Sequence, residues 1–391
     1  MTSATSLDLG ALAVRRRAAQ AAFGTQGLVF IGLTSRLPHF RDHYGLSDLA
    51  LSGLLLMMVL LAGGGSVTAE RLARRLDSAT MLRCGLLAIA VAVPVLTTAP
   101  ALGVFVAGMA VYGVGLGVVD ACTNMQAVAL EHAYARPILP SFYGAWTLGG
   151  AIGAGISLAL GDGPLWGSAF LAVVPLVVAG APLLARVQAP SDDTSGIPWR
   201  PIVLVGLGMV LFYMVDTAAQ TWGPTYLDDD LNAPSGLVAL ATFPYLVASL
   251  LTRFAGDRLV ARYGVVSVLR VSAIVGAGAL AVVVFAPTWP VAVVGFAILG
   301  AGVAVIAPLS FSAAARIAAG PDGVTTDRAR VDAVIARFNQ FNYVGALLGS
   351  VMTGVVGAGT LRIGFAVPMV LILGLLPLAG AFAHGRRGRA A

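Results

Sequence analysis

The chain contains no lysine. A phosphate-cradling GxxxxGK[ST] loop and a Schiff-base lysine are therefore both excluded. Cysteine is almost absent. Cys84 and Cys122 both lie in apolar runs, so neither a disulfide framework nor a thiolate zinc site is expected. The four histidines, His39, His43, His132 and His384, fall at the ends of apolar runs or between them, without ligand spacing. They read as interfacial residues, and no metal and no cofactor are expected. Charge is scarce too: 11% of the 391 residues are charged and 58% are hydrophobic, where a soluble protein carries about 25% charged residues. That balance marks an integral membrane protein. The net charge of +6 comes from arginines scattered between apolar runs rather than gathered on one soluble domain, so no nucleic-acid partner is expected.

What is present is a series of apolar runs. Twelve have spanning length, near the ~20 residues that cross ~30 Å of hydrocarbon. Their approximate limits are 18–38, 47–69, 79–98, 101–126, 138–160, 164–185, 201–224, 236–256, 265–286, 290–314, 331–356 and 361–383, here called spans 1 to 12. Turn chemistry separates them, including Asp77-Ser78, Ala99-Pro100 and Gly161 to Pro164. The short polar N-terminus passes through Arg15, Arg16 and Arg17 straight into span 1, so no cleaved leader is expected. With both termini inside, the outer loops hold only Arg36, Arg41 and Arg362, and the other 21 arginines lie on the inner side. That asymmetry predicts cytoplasmic termini in a bacterial cytoplasmic membrane. The acidic run Asp228-Asp229-Asp230 then falls outside, as a solvated loop.

A Pro-, Ser- and Asp-rich stretch at 188–200 divides the chain nearly in half and reads as a linker. The halves, 1–187 and 201–391, repeat. Glu70–Asp77 (ERLARRLD) aligns with Asp257–Gly264 (DRLVARYG) at an offset of 187 residues, and the same offset puts Gly113 on Gly300 and Gly115 on Gly302. The expected fold is all-α: twelve transmembrane helices in two parallel-repeat six-helix bundles.

Two acids lie well inside spans, Asp120 in span 4 and Asp216 in span 7. A carboxylate at the centre of a membrane helix costs about 2.5–3.5 kcal/mol on insertion scales, so such residues usually line a pathway. Gly113, Gly117, Asp120 and Asn124 share one helical stripe. Tyr213, Asp216 and Gln220 share another. Asp120 is the first candidate for a proton site and Asp216 the second. The repeat partner of Asp120 is Ala307, so the repeated scaffold does not require an acid there. Candidate solute contacts are Gln26, Asn124, Tyr143, Trp146, Tyr213, Gln220, Trp222, Asn339 and Asn342. They combine amides that offer both donor and acceptor with aromatic faces that suit a sugar-like solute. Gly149 with Gly153 in span 5, and Gly345 with Gly349 in span 11, form GxxxG pairs that permit close helix approach.

The twelve spans, the repeat and the acid–arginine loops after spans 2 and 8 resemble the major facilitator superfamily. Its loop pattern is Gly-x-Leu-Ala-Asp-Arg-x-Gly-Arg-Arg/Lys. The first copy here has Ser66, Glu70 and Ala73 at three of those places but keeps Arg71, Arg74 and Arg75, while the second keeps Asp257 and Arg258. The resemblance implies a gating role for Glu70, Arg71, Arg75, Asp257, Arg258 and Arg262, which would close the inner side by charge contacts. The run Val119–Glu131 with Arg136-Pro137, the run Ser141–Gly153, and Asp216, Trp222, Tyr226 and Leu227 further resemble a bacterial branch of uncharacterised permeases near the fucose permeases. That branch commonly has Glu at position 216 and His at 143; Asp216 keeps an acid, whereas Tyr143 removes an imidazole. Proton/drug antiporters of the superfamily usually carry a Gly-Pro pair in span 5, which is missing from Leu148–Gly153. The expected function is secondary active transport of a small polar solute by a monomer, coupled to protons. The alternatives are a proton-driven multidrug efflux antiporter and, more remotely, a membrane enzyme or non-transporting sensor. No nucleophile–base pair or metal cluster supports an enzyme, and no sizeable soluble domain supports a sensor.

Overall fold

The structure, a computed structural model, describes residues 9–72, 76–134, 138–184, 198–319, 334–335 and 337–383. Among these every regular element is helical. Span 1 is Leu9–Thr34, followed by a short helix, Leu37–Tyr44. That helix ends on Gly45, whose left-handed φ of 61° suits a residue without Cβ. Spans 2 to 5 are Asp48–Leu72, Ser78–Thr98, Leu102–Tyr134 and Leu139–Leu160. Span 6 opens with 3-10 turns at Leu165–Ala172 and continues as Val173–Ala179. Span 7 is Trp199–Asp229, span 8 joins Ser235–Ala241 to Phe243–Tyr263, and span 9 is Val265–Val284. Span 10 has two pieces, Trp289–Val303 and Ile306–Ala319. Span 11 contains Gln340–Leu347, a π-helical turn at Leu348–Met352, and Thr353–Val356. Span 12 starts with Leu361–Leu371 and ends with Ala379–Ala383. Among the described residues, nine helices are long and apolar enough to cross a membrane alone.

Spans 4 and 7 outrun their expected limits, with 33 and 31 residues. At roughly 1.5 Å per residue each exceeds 45 Å, well beyond the hydrocarbon core. An apolar run marks only the part of a helix that needs lipid, while backbone hydrogen bonding continues into the polar flanks. Three acids secure helix starts. Asp77 accepts from the N–H of Ala79 at 3.1 Å and opens span 3. Glu131 accepts from the N–H groups of Ile138 and Leu139 at 2.7 and 2.8 Å and opens span 5. Asp230 accepts from the N–H of Leu361 at 3.1 Å and from the Thr360 hydroxyl, and opens span 12. Each carboxylate meets N–H groups that have no helical partner.

The run 228–230 closes span 7 rather than forming a free loop, with Asp229 still exposed to solvent. Asp228 and Asp229 close span 7 against Arg41. The Arg41 Nη2 stands 2.7 Å from Asp229 Oδ1, its Nη1 bonds the other Asp229 oxygen, and the guanidinium lies 3.8 Å from Asp228 and 3.7 Å from Asp48. Adjacent like charges are tolerated because each faces a donor. The hydrogen bond to Asp229 raises the Arg41 pKa further above its ordinary value. Nearby Arg36, fully buried, donates to the carbonyls of Gly161 and Gly163.

Glycine sets the closest helix contacts, and it does so in both halves. A Cβ on Gly149 would stand 1.9 Å from the Gly24 carbonyl oxygen, so spans 1 and 5 touch backbone to backbone. A Cβ on Gly349 would stand 2.4 Å from the Met214 carbonyl oxygen, where span 11 meets span 7. The chain forms two compact units. One is Met1–Phe30, Leu60–Gly153 and Pro164–Ala189; the other is Ile31–Val59, Ala154–Gly163 and Pro190–Ala391. Arg36, Arg41 and Gly161 therefore belong to the same unit as spans 7 to 12. Most of the linker at 188–200 lies outside the described residues.

Candidate functional site

In the first unit, spans 1, 4 and 5 bring five of the expected residues together. Gln26 Nε2 donates to Asp120 Oδ1 at 3.3 Å. One turn along span 4, Asn124 Nδ2 bonds the backbone carbonyl of Asp120 at 2.9 Å, and its Oδ1 accepts from the Tyr143 hydroxyl at 3.0 Å. Asn124 thus fixes Tyr143 while keeping one N–H and one lone pair in hand. Trp146, three residues on, faces Phe30 with ring centres 6.5 Å apart, and Phe23 meets Tyr143 edge-on at 5.7 Å. Beneath them lies an apolar cluster of Phe23, Ala127, Leu130, Ile138 and Phe142. This cluster holds span 1 against spans 4 and 5, and so holds Gln26 against Asp120. Asp120 is half-buried. Gln26 is buried, and its Oε1 has no hydrogen-bond partner among the described residues. A buried acceptor left open costs roughly 1–3 kcal/mol, so this atom is poised for a donor.

The second unit arranges its acid differently. The Tyr245 hydroxyl in span 8 donates to Asp216 Oδ1 in span 7. Gln220, one turn beyond Asp216, is buried, and its Oε1 has no partner among the described residues. Tyr213 rests against Gly345: a Cβ on that glycine would stand 2.6 Å from the Tyr213 Cβ. Asn339 and Asn342 are half-buried at the start of span 11, and neither side chain forms a hydrogen bond among the described residues. Trp222 is fully buried, and its Nε1 donates to the Ser350 carbonyl at 2.6 Å, inside the π-helical turn. It packs the seam between spans 7 and 11 and has no further N–H for a solute. Gly153 is buried in span 5.

Of the loop residues, Arg71, Arg258 and Arg262 are exposed, and Arg262 lies 5.3 Å over the Tyr263 ring. Arg75 and the side chains of Glu70 and Asp257 lie outside the described residues. Two polar residues of the second unit escaped the sequence reading. Tyr245 sits in the apolar run of span 8, with no spacing that ties it to Asp216. Arg253, also in span 8, donates from Nε to the Ala304 carbonyl at 3.3 Å. A cation four residues before Asp257 inside an apolar run was the available signal.

Residues 3–138 match the Major Facilitator Superfamily. An uncharacterized transporter, y4wD of Sinorhizobium fredii, is 25% identical over 361 residues, covering 90% of this chain and 93% of its own. The fold is shared with the E. coli fucose:proton symporter FucP, with a TM-score of 0.59, 16% identity, and 93% of this chain and 97% of that one covered. It is shared equally with the nucleoside transporter NupG, with a TM-score of 0.67, 14% identity, and 97% of this chain and all of that one covered.

Proposed function

We propose that this chain, whose residues 3–138 match the Major Facilitator Superfamily, is a multi-pass transporter that moves a small, polar, sugar-like solute by alternating access coupled to protons. The single observation that carries this reading is the Gln26–Asp120 contact beside the Asn124–Tyr143 pair. It joins a membrane carboxylate to an open buried acceptor and an oriented phenol. In this reading Asp120 takes a proton when its face of the site opens to one side of the membrane and releases it on the other. Gln26, Tyr143 and Trp146 receive the hydroxyl and ring faces of the solute, with Asn124 holding Tyr143 in place. In the second half, 201–391, Tyr213, Gln220, Asn339 and Asn342 are the candidate solute contacts, and Asp216 is the second titrating group. Likeness in fold to a fucose:proton symporter and a nucleoside transporter supports a polar cargo.

The rest of the reading concerns setting and motion. The termini face the cytoplasm of a bacterial cell, the working unit is a monomer, and the glycines at Gly149, Gly153, Gly345 and Gly349 serve helix packing within each half. The loops at Glu70–Arg75 and Asp257–Arg262 close the inner side.

The test is uptake by proteoliposomes under an imposed pH gradient. Gradient-driven accumulation of at least one sugar or nucleoside is expected. If no sugar, amino acid or nucleoside moves, and expressing cells instead resist lipophilic dyes, the uptake reading falls and proton-driven efflux replaces it.

A further inference from the structure

In the second half a proline stands where the first half has an alanine. At the 187-residue offset Pro308 pairs with Ala121, Ala307 with Asp120, and Arg253 with Ser66. A proline inside a helix has no N–H, so the carbonyl four residues earlier loses its partner. That carbonyl is Ala304's, and span 10 breaks there, between Val303 and Ile306. Span 4, without the proline, runs unbroken from Leu102 to Tyr134. The Arg253 Nε of span 8 donates to the freed Ala304 oxygen at 3.3 Å. Span 8 thus replaces by side chain the hydrogen bond that Pro308 removes.

A guanidinium in a membrane helix is costly, and it persists where it has partners. Here one partner is the carbonyl that Pro308 leaves open in span 10.

We propose that Arg253 is a positioning residue that clamps the break in span 10. With the guanidinium in place the Ala304 carbonyl is held to span 8; without it, span 10 gains freedom to bend at Ala304. The consequence for transport rests on the reading given above, but the clamp itself does not, and its test needs no solute.

The experiment is hydrogen–deuterium exchange on full-length protein in lipid nanodiscs, read in peptides covering residues 300–312. Arg253→Gln should speed exchange there by about five- to tenfold, the factor expected for one lost hydrogen bond. Arg253→Lys should restore much of the protection. In a Pro308→Ala background Ala304 regains a helical partner, so Arg253→Gln should then change little. Equal acceleration with and without Pro308, or none in either, overturns the clamp. The exchange result does not bear on whether a solute is carried, and a failure to find transport would leave it standing.

Discussion

At one register the two halves carry different residues with different consequences. Span 4 presents Asp120 followed by Ala121 within a continuous helix. Span 10 presents Ala307 followed by Pro308, just beyond a break. Both spans are packed through glycine at neighbouring places: a Cβ on Gly117 would stand 1.8 Å from the Ala62 carbonyl oxygen, and one on Gly300 would stand 2.1 Å from that of Tyr245. The scaffold is therefore repeated while the chemistry is not. The first half mounts its acid on a continuous helix beside Gln26 and the Asn124–Tyr143 pair. The second half has its acid on span 7 with a phenol partner, and interrupts the helical hydrogen bonding of span 10 just before the place where the first half has a carboxylate. The contrast teaches that a repeated scaffold can differ by local substitution: span 4 carries a carboxylate where span 10 carries an alanine followed by a proline.

The contrast can be broken first at the acids. Asp120→Asn should reduce accumulation against a pH gradient to the level of empty liposomes while counterflow exchange continues. Asp216→Asn should only slow accumulation, and equal loss in both variants would erase the proposed division. Next come the seams. Gly117→Ala and Gly300→Ala each force a methyl group against backbone and should cost about 1–3 kcal/mol, read as a lower unfolding temperature. Gly103→Ala, with open space around it, should cost far less. A smaller effect is expected at the phenols. Tyr143→Phe removes the bond to Asn124 and should raise the KM for solute about fivefold, as for one hydrogen bond, whereas Tyr245→Phe should leave KM unchanged and alter the rate.

The smallest effect concerns His39, outside the spans in the helix Leu37–Tyr44. Burial and the nearby Arg36 charge hold its pKa below the ordinary 6.5, with Asp162 and Asp42 opposing. The unfolded chain therefore binds this proton more readily than the folded protein. Stability is full above pH 6.5, falls as the pH drops through that value, and levels off below the folded-state pKa. Thermal unfolding as a function of pH should show this loss as a small drop in unfolding temperature, and His39→Gln should remove it.

Much of the fold was legible because membrane insertion writes itself into composition. Apolar length located the spans, and the Glu70/Asp257 register exposed the repeat. The Gln26, Asp120, Asn124, Tyr143 and Trp146 group was legible because a polar residue in lipid demands a reason. The partner of Asp216 was hidden, since Tyr245 is an ordinary residue of an apolar helix and its contact joins spans with no fixed spacing. The anchoring of Asp228 to Asp230 was hidden for a similar reason: it depends on Arg41 and on the start of span 12, both far away in sequence. The break in span 10 was visible in principle as Pro308, but its repair by Arg253 requires knowing that span 8 passes beside Ala304.

The central claim is that Asp120 carries the coupled proton. The most direct test records external pH in a weakly buffered suspension of proteoliposomes when a transported solute is added with no gradient imposed. The account predicts that the medium turns alkaline with wild-type protein and with Asp216→Asn, and that its pH does not change with Asp120→Asn. Solute-dependent alkalinisation that persists in Asp120→Asn would contradict it.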